Sequence, residues 1–108
     1  MGKYLVIGSY TAEGAKGLLK EGGTARRAET ERLVKSVGGK LEAYYFGFGE
    51  DDFYVIADLP DNVAAAAAPL IAAATGSVRA RTIVLLTPEE VDAVQARAAD
   101  VKFRAAGR

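Results

Sequence analysis

Hydrophobic and polar positions between residues 44 and 61 alternate in a way that predicts two strands joined by an acidic turn. Tyr44 to Phe48 is aromatic and strand-like, and Phe53 to Leu59 alternates apolar and polar side chains, which is the period of a half-buried strand. Gly49 to Asp52 supplies the turn, and Pro60-Asp61 closes the unit. We therefore predict a β-hairpin in the middle of the chain's only sheet.

The rest of the chain predicts further strands and helices in alternation. Predicted strands show period two, and predicted helices begin at cap residues or end at glycines. The strands are Lys3 to Tyr10, Lys40 to Phe48, Asp52 to Leu59 and Val78 to Leu86; the helices lie in two pieces between Thr11 and Gly39, at Asn62 to Thr75, and from Pro88 to about Val101. The strongest local signal is Thr87-Pro88-Glu89-Glu90, which predicts a capping box with proline at the first helical position.

The predicted order is β-α-β-β-α-β-α. Right-handed crossovers in two βαβ halves then give an α+β, ferredoxin-like sheet with helices on one face and an extra C-terminal helix. The length of 108 residues fits a single domain spanning residues 1–108.

Strand alternation divides the predicted sheet into a helix-covered face and a helix-free face. We assign a small aliphatic set to the helix side: Leu5, Ile7, Leu41, Ala43, Val55, Ala57, Val78 and Ala80. The opposite set is aromatic and charged: Tyr4, Val6, Tyr10, Glu42, Tyr44, Phe46, Tyr54, Ile56, Asp58, Arg79, Arg81 and Ile83. That face is too apolar to stand in water as one patch and too polar to form a dry core.

Three occupants of the helix-free face are considered. A second copy of the chain would bury it as a dimer interface, in which tyrosine and arginine are common. A small molecule could instead bind among the same side chains, or single-stranded nucleic acid could stack on the aromatic rings. Lys plus Arg and Asp plus Glu number 14 each, and this charge balance argues against nucleic acid.

Composition narrows the possible chemistry. The chain contains neither cysteine nor histidine, which excludes thiolate nucleophiles, cysteine or histidine metal sites and the usual proximal haem ligand. We therefore predict no cofactor and no metal, and chemistry limited to proton transfer or cofactor-free oxidation. The apolar run Tyr4 to Gly8 is too short for a signal peptide, and the alanine run Val63 to Ala74 is too short to span a bilayer. These features predict a cytoplasmic protein without membrane association.

Six residues on the predicted helix-free face are candidates for a functional site. Asp58 is the candidate general base, with a pKa raised by burial, and Arg79 is the candidate anion stabiliser. The aromatic and cationic ligand-binding candidates are Tyr10, Tyr44, Tyr54 and Arg81. The alternative is that Asp58 forms an interface ion pair with Arg79 or Arg81, and that the tyrosines only pack.

The order and spacing of short motifs along nearly the whole chain resemble the GYD family. These motifs are Tyr10-Thr11, Gly38-Gly39-Lys40, Tyr44-Tyr45, Gly49-Glu50-Asp51-Asp52, Pro60-Asp61, Gly76, Arg79 and Thr87-Pro88-Glu89-Glu90. Asp51 stands where the family's name-giving turn has a tyrosine.

The resemblance implies a dimeric α+β barrel, in which two ferredoxin-like sheets pair face to face. Proteins of that superfamily include cofactor-free oxygenases, haem enzymes, isomerases and ligand-binding regulators. The expected partner is therefore a second copy of the chain, and the expected function is small-molecule binding in the barrel, with or without enzymatic activity. The alternative is a structural homo-oligomer without a ligand pocket.

Overall fold

The computed structural model describes residues 1–108 as four strands and four helices. The strands are β1 (Gly2–Tyr10), β2 (Lys40–Phe46), β3 (Phe53–Leu59) and β4 (Val78–Leu85); the helices are α1 (Ala12–Glu21), α2 (Gly23–Ser36), α3 (Asn62–Ala74) and α4 (Pro88–Ala98). The predicted order of elements is confirmed. Several ends differ from prediction by one residue, and two differ by more, because β2 stops at Phe46 and α4 stops at Ala98.

The four strands form one antiparallel sheet in the order β2-β3-β1-β4. This is the strand order of a ferredoxin-like sheet, with β1 and β3 in the centre, so the predicted α+β fold is confirmed. None of the four helices is both long enough and apolar enough to cross a lipid bilayer.

Polar side chains cap three of the helices. The Thr11 hydroxyl accepts a hydrogen bond from the Gly14 amide at 3.1 Å, and an Asp61 carboxylate oxygen accepts one from Ala64 at 2.9 Å. At α4 the predicted capping box is complete, because Thr87 Oγ1 accepts from the Glu90 amide and Glu90 Oε1 accepts from the Thr87 amide. Each cap satisfies an amide that has no partner within its helix.

Replacement Thr87→Ala should destabilise α4 by about 1 kcal/mol, because it removes the acceptor of the Glu90 amide. Since every residue of α4 is exposed to solvent, the loss should appear as fraying of this helix. Amide hydrogen exchange should become faster between residues 88 and 98 and stay unchanged in the sheet. Thr24→Ala is the control, because Thr24 lies within α2 and caps no helix. Unchanged exchange in α4 would show that the capping box does not hold the helix.

In β1 and β2, several side chains lie on the opposite face of the sheet from the one predicted. Val6 and Tyr10 line a space shared with α2 and α3, and Tyr4 is buried in the core beside the two helices. The placement of Tyr4, Val6, Tyr10, Tyr44 and Phe46 on the helix-free face was therefore wrong, as was the placement of Leu5, Ile7 and Ala43 on the helix side. Tyr54, Ile56, Asp58, Arg79, Arg81 and Ile83 do lie on the helix-free face, as predicted.

Two physical features explain the error. Both faces of β1 carry apolar groups, so alternation separates its faces without indicating which one the helices cover. In β2 the register shifts between Leu41, which lies opposite Ala57, and Ala43, which lies opposite Ile56. A bulge of this kind inverts the facing of every later residue in the strand.

The hydrophobic core lies at one end of the sheet. Leu59 is 1% exposed and packs with Val34 near the end of α2 and with Ala64 and Ala65 at the start of α3. The Tyr4 hydroxyl donates to Asn62 Oδ1 at 2.8 Å in the same region. Elsewhere α2 packs on β2 and α3 packs on β4, with little contact between the two helices. The helices thus meet at Leu59 and leave a space over the central strands.

Candidate functional site

A cavity of about 350 Å³ lies between the sheet and helices α2 and α3. Of its 21 lining residues, 14 are hydrophobic. Val6, Phe53 and Val55 contribute to its floor on the central strands, while Leu33 of α2 and Ala72 of α3 contribute to its walls. The cavity is therefore largely apolar, and the few polar groups in it define how a ligand could be oriented.

Tyr10 lies at the end of β1, where the β2–β3 turn holds it in place. Its backbone N–H donates to Asp52 Oδ2 at 2.8 Å. The Asp52 N–H in turn donates to the Gly8 carbonyl oxygen at 2.8 Å. The acidic turn is thus attached to β1 by two hydrogen bonds, and Asp52 positions the backbone of a cavity residue.

Phe53 lies between the two tyrosines of the cavity. Its ring centroid is 5.4 Å from that of Tyr10 and 6.2 Å from that of Tyr44. Gly8 lies opposite Phe53 in the sheet, and a β-carbon at Gly8 would lie 2.1 Å from the Phe53 ring. The glycine therefore makes room for this ring, which forms an apolar floor below the two hydroxyl groups.

The hydroxyls of Tyr10 and Tyr44 form the polar end of the cavity. Their oxygen atoms are 3.4 Å apart. Burial of the Tyr44 hydroxyl and its hydrogen bond to Tyr10 raise the pKa of Tyr44 well above the ordinary value, against weaker opposing effects of Thr30 and Arg26. Tyr44 therefore stays protonated at physiological pH and is available as a hydrogen-bond donor.

Charged groups of α2 also line the cavity. Arg26 forms an ion pair with Glu21 at 3.6 Å, and Arg32 Nε donates to both carboxylate oxygens of Glu29 at 3.1 and 3.0 Å. The hydrogen bond from Arg32 lowers the pKa of Glu29. Both arginines thus have acidic partners, and α2 adds little net charge to the cavity.

Four of the six predicted site residues lie on the helix-free face, away from this cavity. Arg81 forms an ion pair with Asp51 at 3.2 Å, and Arg79 lies beside Ser9 in a shallow groove on the same face. Tyr54 is partly exposed at the β2–β3 edge of the sheet, and Asp58 lies 3.4 Å from Lys3 Nζ. The structure thus brings Tyr10 and Tyr44 together and separates them from the other four.

Asp58 and Arg79 do not form the predicted pair. Asp58 lies opposite Lys3, and Arg79 lies opposite Ser9. Lys3 and Ser9 are six positions apart along β1, which is roughly 20 Å in a strand. Hydrogen bonding with Glu42 and the charge of Lys3 hold the pKa of Asp58 below its usual range. The predictions of an Asp58 pair with Arg79 or Arg81 and of a burial-raised pKa were therefore wrong.

The cavity includes helix residues that were not among the predicted site residues. Arg26, Thr30 and Leu33 contribute the α2 wall, and Ala68 and Ala72 contribute the α3 wall. The i, i+4, i+7 spacing of the first three is a signal of one shared helix face. This spacing could have been found in the sequence. That the small side chains of Ala68 and Ala72 leave room for a cavity could not.

The fold and the cavity define a ferredoxin-like α+β domain with an apolar internal site next to a pair of tyrosine hydroxyls. The family model of the GYD domain matches residues 4–94, which include β1 from Tyr4 onward, the other three strands, the first three helices and the first part of α4. The chain belongs to the GYD domain family, so the resemblance found in the sequence is confirmed. Comparisons with curated proteins and with solved structures gave no significant match.

Proposed function

We propose that this GYD domain protein binds a small organic molecule in the cavity between the sheet and helices α2 and α3. The observation that carries the proposal is the pair of tyrosine hydroxyls at one end of a largely apolar space. This location differs from the expected site between two sheets, because Tyr10 and Tyr44 face the helices.

Cavity size and composition support a ligand of moderate size. A volume of about 350 Å³ falls in the range of roughly 300–1,000 Å³ for small-molecule sites. Such sites combine apolar walls with a few polar groups that fix the orientation of the ligand. The ring of Phe53 and the side chains of Val55 and Leu33 would contact the apolar part of the ligand.

The polar end favours a ligand with one accepting oxygen, such as a carbonyl or a phenol. Tyr44 remains protonated and can donate to this oxygen. Tyr10 lies within 3.4 Å of the Tyr44 oxygen and can donate or accept at the same position. Proton transfer in this cavity would use the tyrosine hydroxyls and the Glu29 carboxylate, with Arg26 as a permanent positive charge, since the chain contains no histidine or cysteine.

The proposal is tested with a panel of apolar carbonyl and phenolic compounds. Binding is measured by thermal shift and by calorimetry, on the wild type and on two cavity variants. Ala72→Phe should abolish binding, because Ala72 lines the cavity and a phenyl ring would occupy it. Tyr44→Phe should weaken binding about tenfold, since one hydrogen bond to the ligand contributes roughly 0.5–1.5 kcal/mol.

The matched control is Ala74→Phe, which places the same ring on an exposed part of α3 outside the cavity. This variant should bind as the wild type does. A compound that binds all variants equally would occupy another site and refute the proposed location. If no compound of the panel binds the wild type and Ala72→Phe stabilises the fold, the result would favour the alternative of a structural homo-oligomer without a ligand.

We also propose that the helix-free face is the interface of a homodimer. On this face Tyr45 is 70% exposed, and Tyr54 and Ile83 are also exposed. A second copy would cover these side chains and leave both helix-side cavities accessible.

Replacement Ile56→Asp should convert the dimer to a monomer. Ile56 lies on β3 near the middle of the helix-free face, so the substitution would leave an unpaired charge in the interface. Sedimentation should then give a mass near 11.3 kDa. Val63→Asp is the control, because Val63 is 78% exposed on α3, and it should leave the dimer intact. A wild type that sediments as a monomer at micromolar concentration would contradict this interface.

A further inference from the structure

Helix α4 extends away from the rest of the molecule. Every residue from Pro88 to Arg108 is exposed, and α4 makes no extensive contact with any strand or helix. The radius of gyration is 17.1 Å, whereas a compact domain of this length has about 13 Å. The longest dimension of the chain is 55 Å, compared with 33 and 22 Å for the other two. The chain therefore carries a projecting helical arm.

This arm is not expected to be stable by itself. It contains 11 helical residues, and isolated helices shorter than about 12–15 residues are marginal in water. Only Leu86 and Thr87 connect it to β4, and the capping box with Pro88 fixes the direction in which it starts. A rigid start of this kind hinders folding of the arm back onto its own sheet and leaves its apolar side for another molecule.

One side of the arm is apolar. Val91, Val94 and Ala98 follow each other at spacings of three and four residues, which places them along one stripe of α4. Val91 and Val94 are 50% and 53% exposed, respectively. The opposite side carries Ala96, and the spacing of the stripe is that of a helix-pairing seam.

The charges along the arm are self-complementary. Its first part carries Glu89, Glu90 and Asp92, its last turn carries Arg97, and Asp100, Lys102 and Arg104 follow the end of the helix at Ala98. A two-fold axis across the middle of two antiparallel arms would place the acidic part of each against the basic part of the other. Glu90 and Arg97 are seven residues apart and flank the stripe on the same side, so they would meet in such a pair.

We propose that α4 pairs with α4 of a second copy of this chain in an antiparallel arrangement, with the stripe of Val91, Val94 and Ala98 as the contact. The pair is small, since an 11-residue helix is about 16 Å long. A stable interface buries about 800 Å² per partner, which is more than such a short helix pair can supply. The helix pair therefore rests on the homodimer interface proposed above and adds to it. The two contacts are made by separate residues and can be tested separately.

The natural chain has no cysteine, which permits a clean cross-linking experiment. Size-tagged Val91→Cys protein is mixed under reducing conditions with untagged Ala98→Cys protein, and the mixture is then oxidised at micromolar concentration. In an antiparallel pair, position 91 of one arm lies next to position 98 of the other. Two cysteines held there have an effective concentration in the millimolar range, so the tagged–untagged product should form at least about tenfold faster than when the untagged partner is Ala96→Cys. Ala96→Cys is the matched control, on the opposite side of the same exposed helix.

Two results would overturn the proposal. Equal rates with Ala98→Cys and Ala96→Cys would show that the arms meet only by collision, and preferential tagged–tagged and untagged–untagged products would show parallel arms. As a second measurement, Val94→Glu should raise the dissociation constant of the dimer at least about tenfold in sedimentation, because it buries an unpaired charge. Ala96→Glu should leave that constant unchanged, and equal effects of the two variants would also refute the proposed contact.

Discussion

Replacement Leu59→Ala should lower the free energy of unfolding by about 2–5 kcal/mol. Leu59 is the one large side chain that is almost completely buried, and it contacts the end of α2 and the start of α3. Alanine would remove the apolar contacts and leave a void at the place where the two helices meet. Urea denaturation followed by far-UV circular dichroism measures the change.

Leu19→Ala is the matched control, because Leu19 is the same residue type at 88% exposure on α1. It should change the free energy of unfolding by no more than about 0.5 kcal/mol. Similar losses for the two variants would mean that the core does not lie around Leu59. A loss for Leu59→Ala below about 1 kcal/mol would mean that the neighbouring side chains close the void.

Replacement Gly14→Ala should destabilise the fold by about 3 kcal/mol or more, because overpacking against backbone cannot relax by a side-chain rotation. A β-carbon at Gly14 would lie 2.0 Å from the Ser77 carbonyl oxygen. That oxygen accepts the Thr11 amide at 2.9 Å, so α1 begins directly against the start of β4. The methyl group would force these two elements apart, and thermal denaturation should show a clearly lower midpoint.

Gly17→Ala provides a control of opposite sign. Gly17 lies one turn further along α1, and nothing lies within 4 Å of a β-carbon built there. Alanine at an open helical position should raise the free energy of unfolding by about 0.5–1 kcal/mol, because glycine is the poorer helix former. Stabilisation by both substitutions would show that α1 does not approach β4 as closely as the structure indicates.

The order of the elements could be predicted from the sequence because each element carries its own local signal. Asp61 and Thr87 cap helices through hydrogen bonds to amides three residues later, and such contacts depend on few neighbours. The alternating pattern of β3 likewise gives its facing correctly, since its four buried residues are all apolar and the charged Asp58 lies on the other face.

The faces of β1 and the candidate site depended on information that local patterns do not carry. Alternation in β1 separates Tyr4 and Tyr10 from Ile7, but only the helices decide which set they cover. Ion pairs likewise depend on register, and the register places Asp58 and Arg79 at opposite ends of the sheet. Charged residues that share a face in the sequence pattern were therefore mistaken for neighbours.

The alanine-rich sequence of α3 has a consequence for how ligand selectivity can change during evolution. Ala68 and Ala72 face the cavity, and alanine has the smallest side chain that still favours a helix. Replacement of either by a larger residue would reshape the bound molecule's surroundings without altering a strand or a hydrogen bond of the sheet. Related proteins could thus diverge in the molecules they accept through one or two substitutions on a single helix.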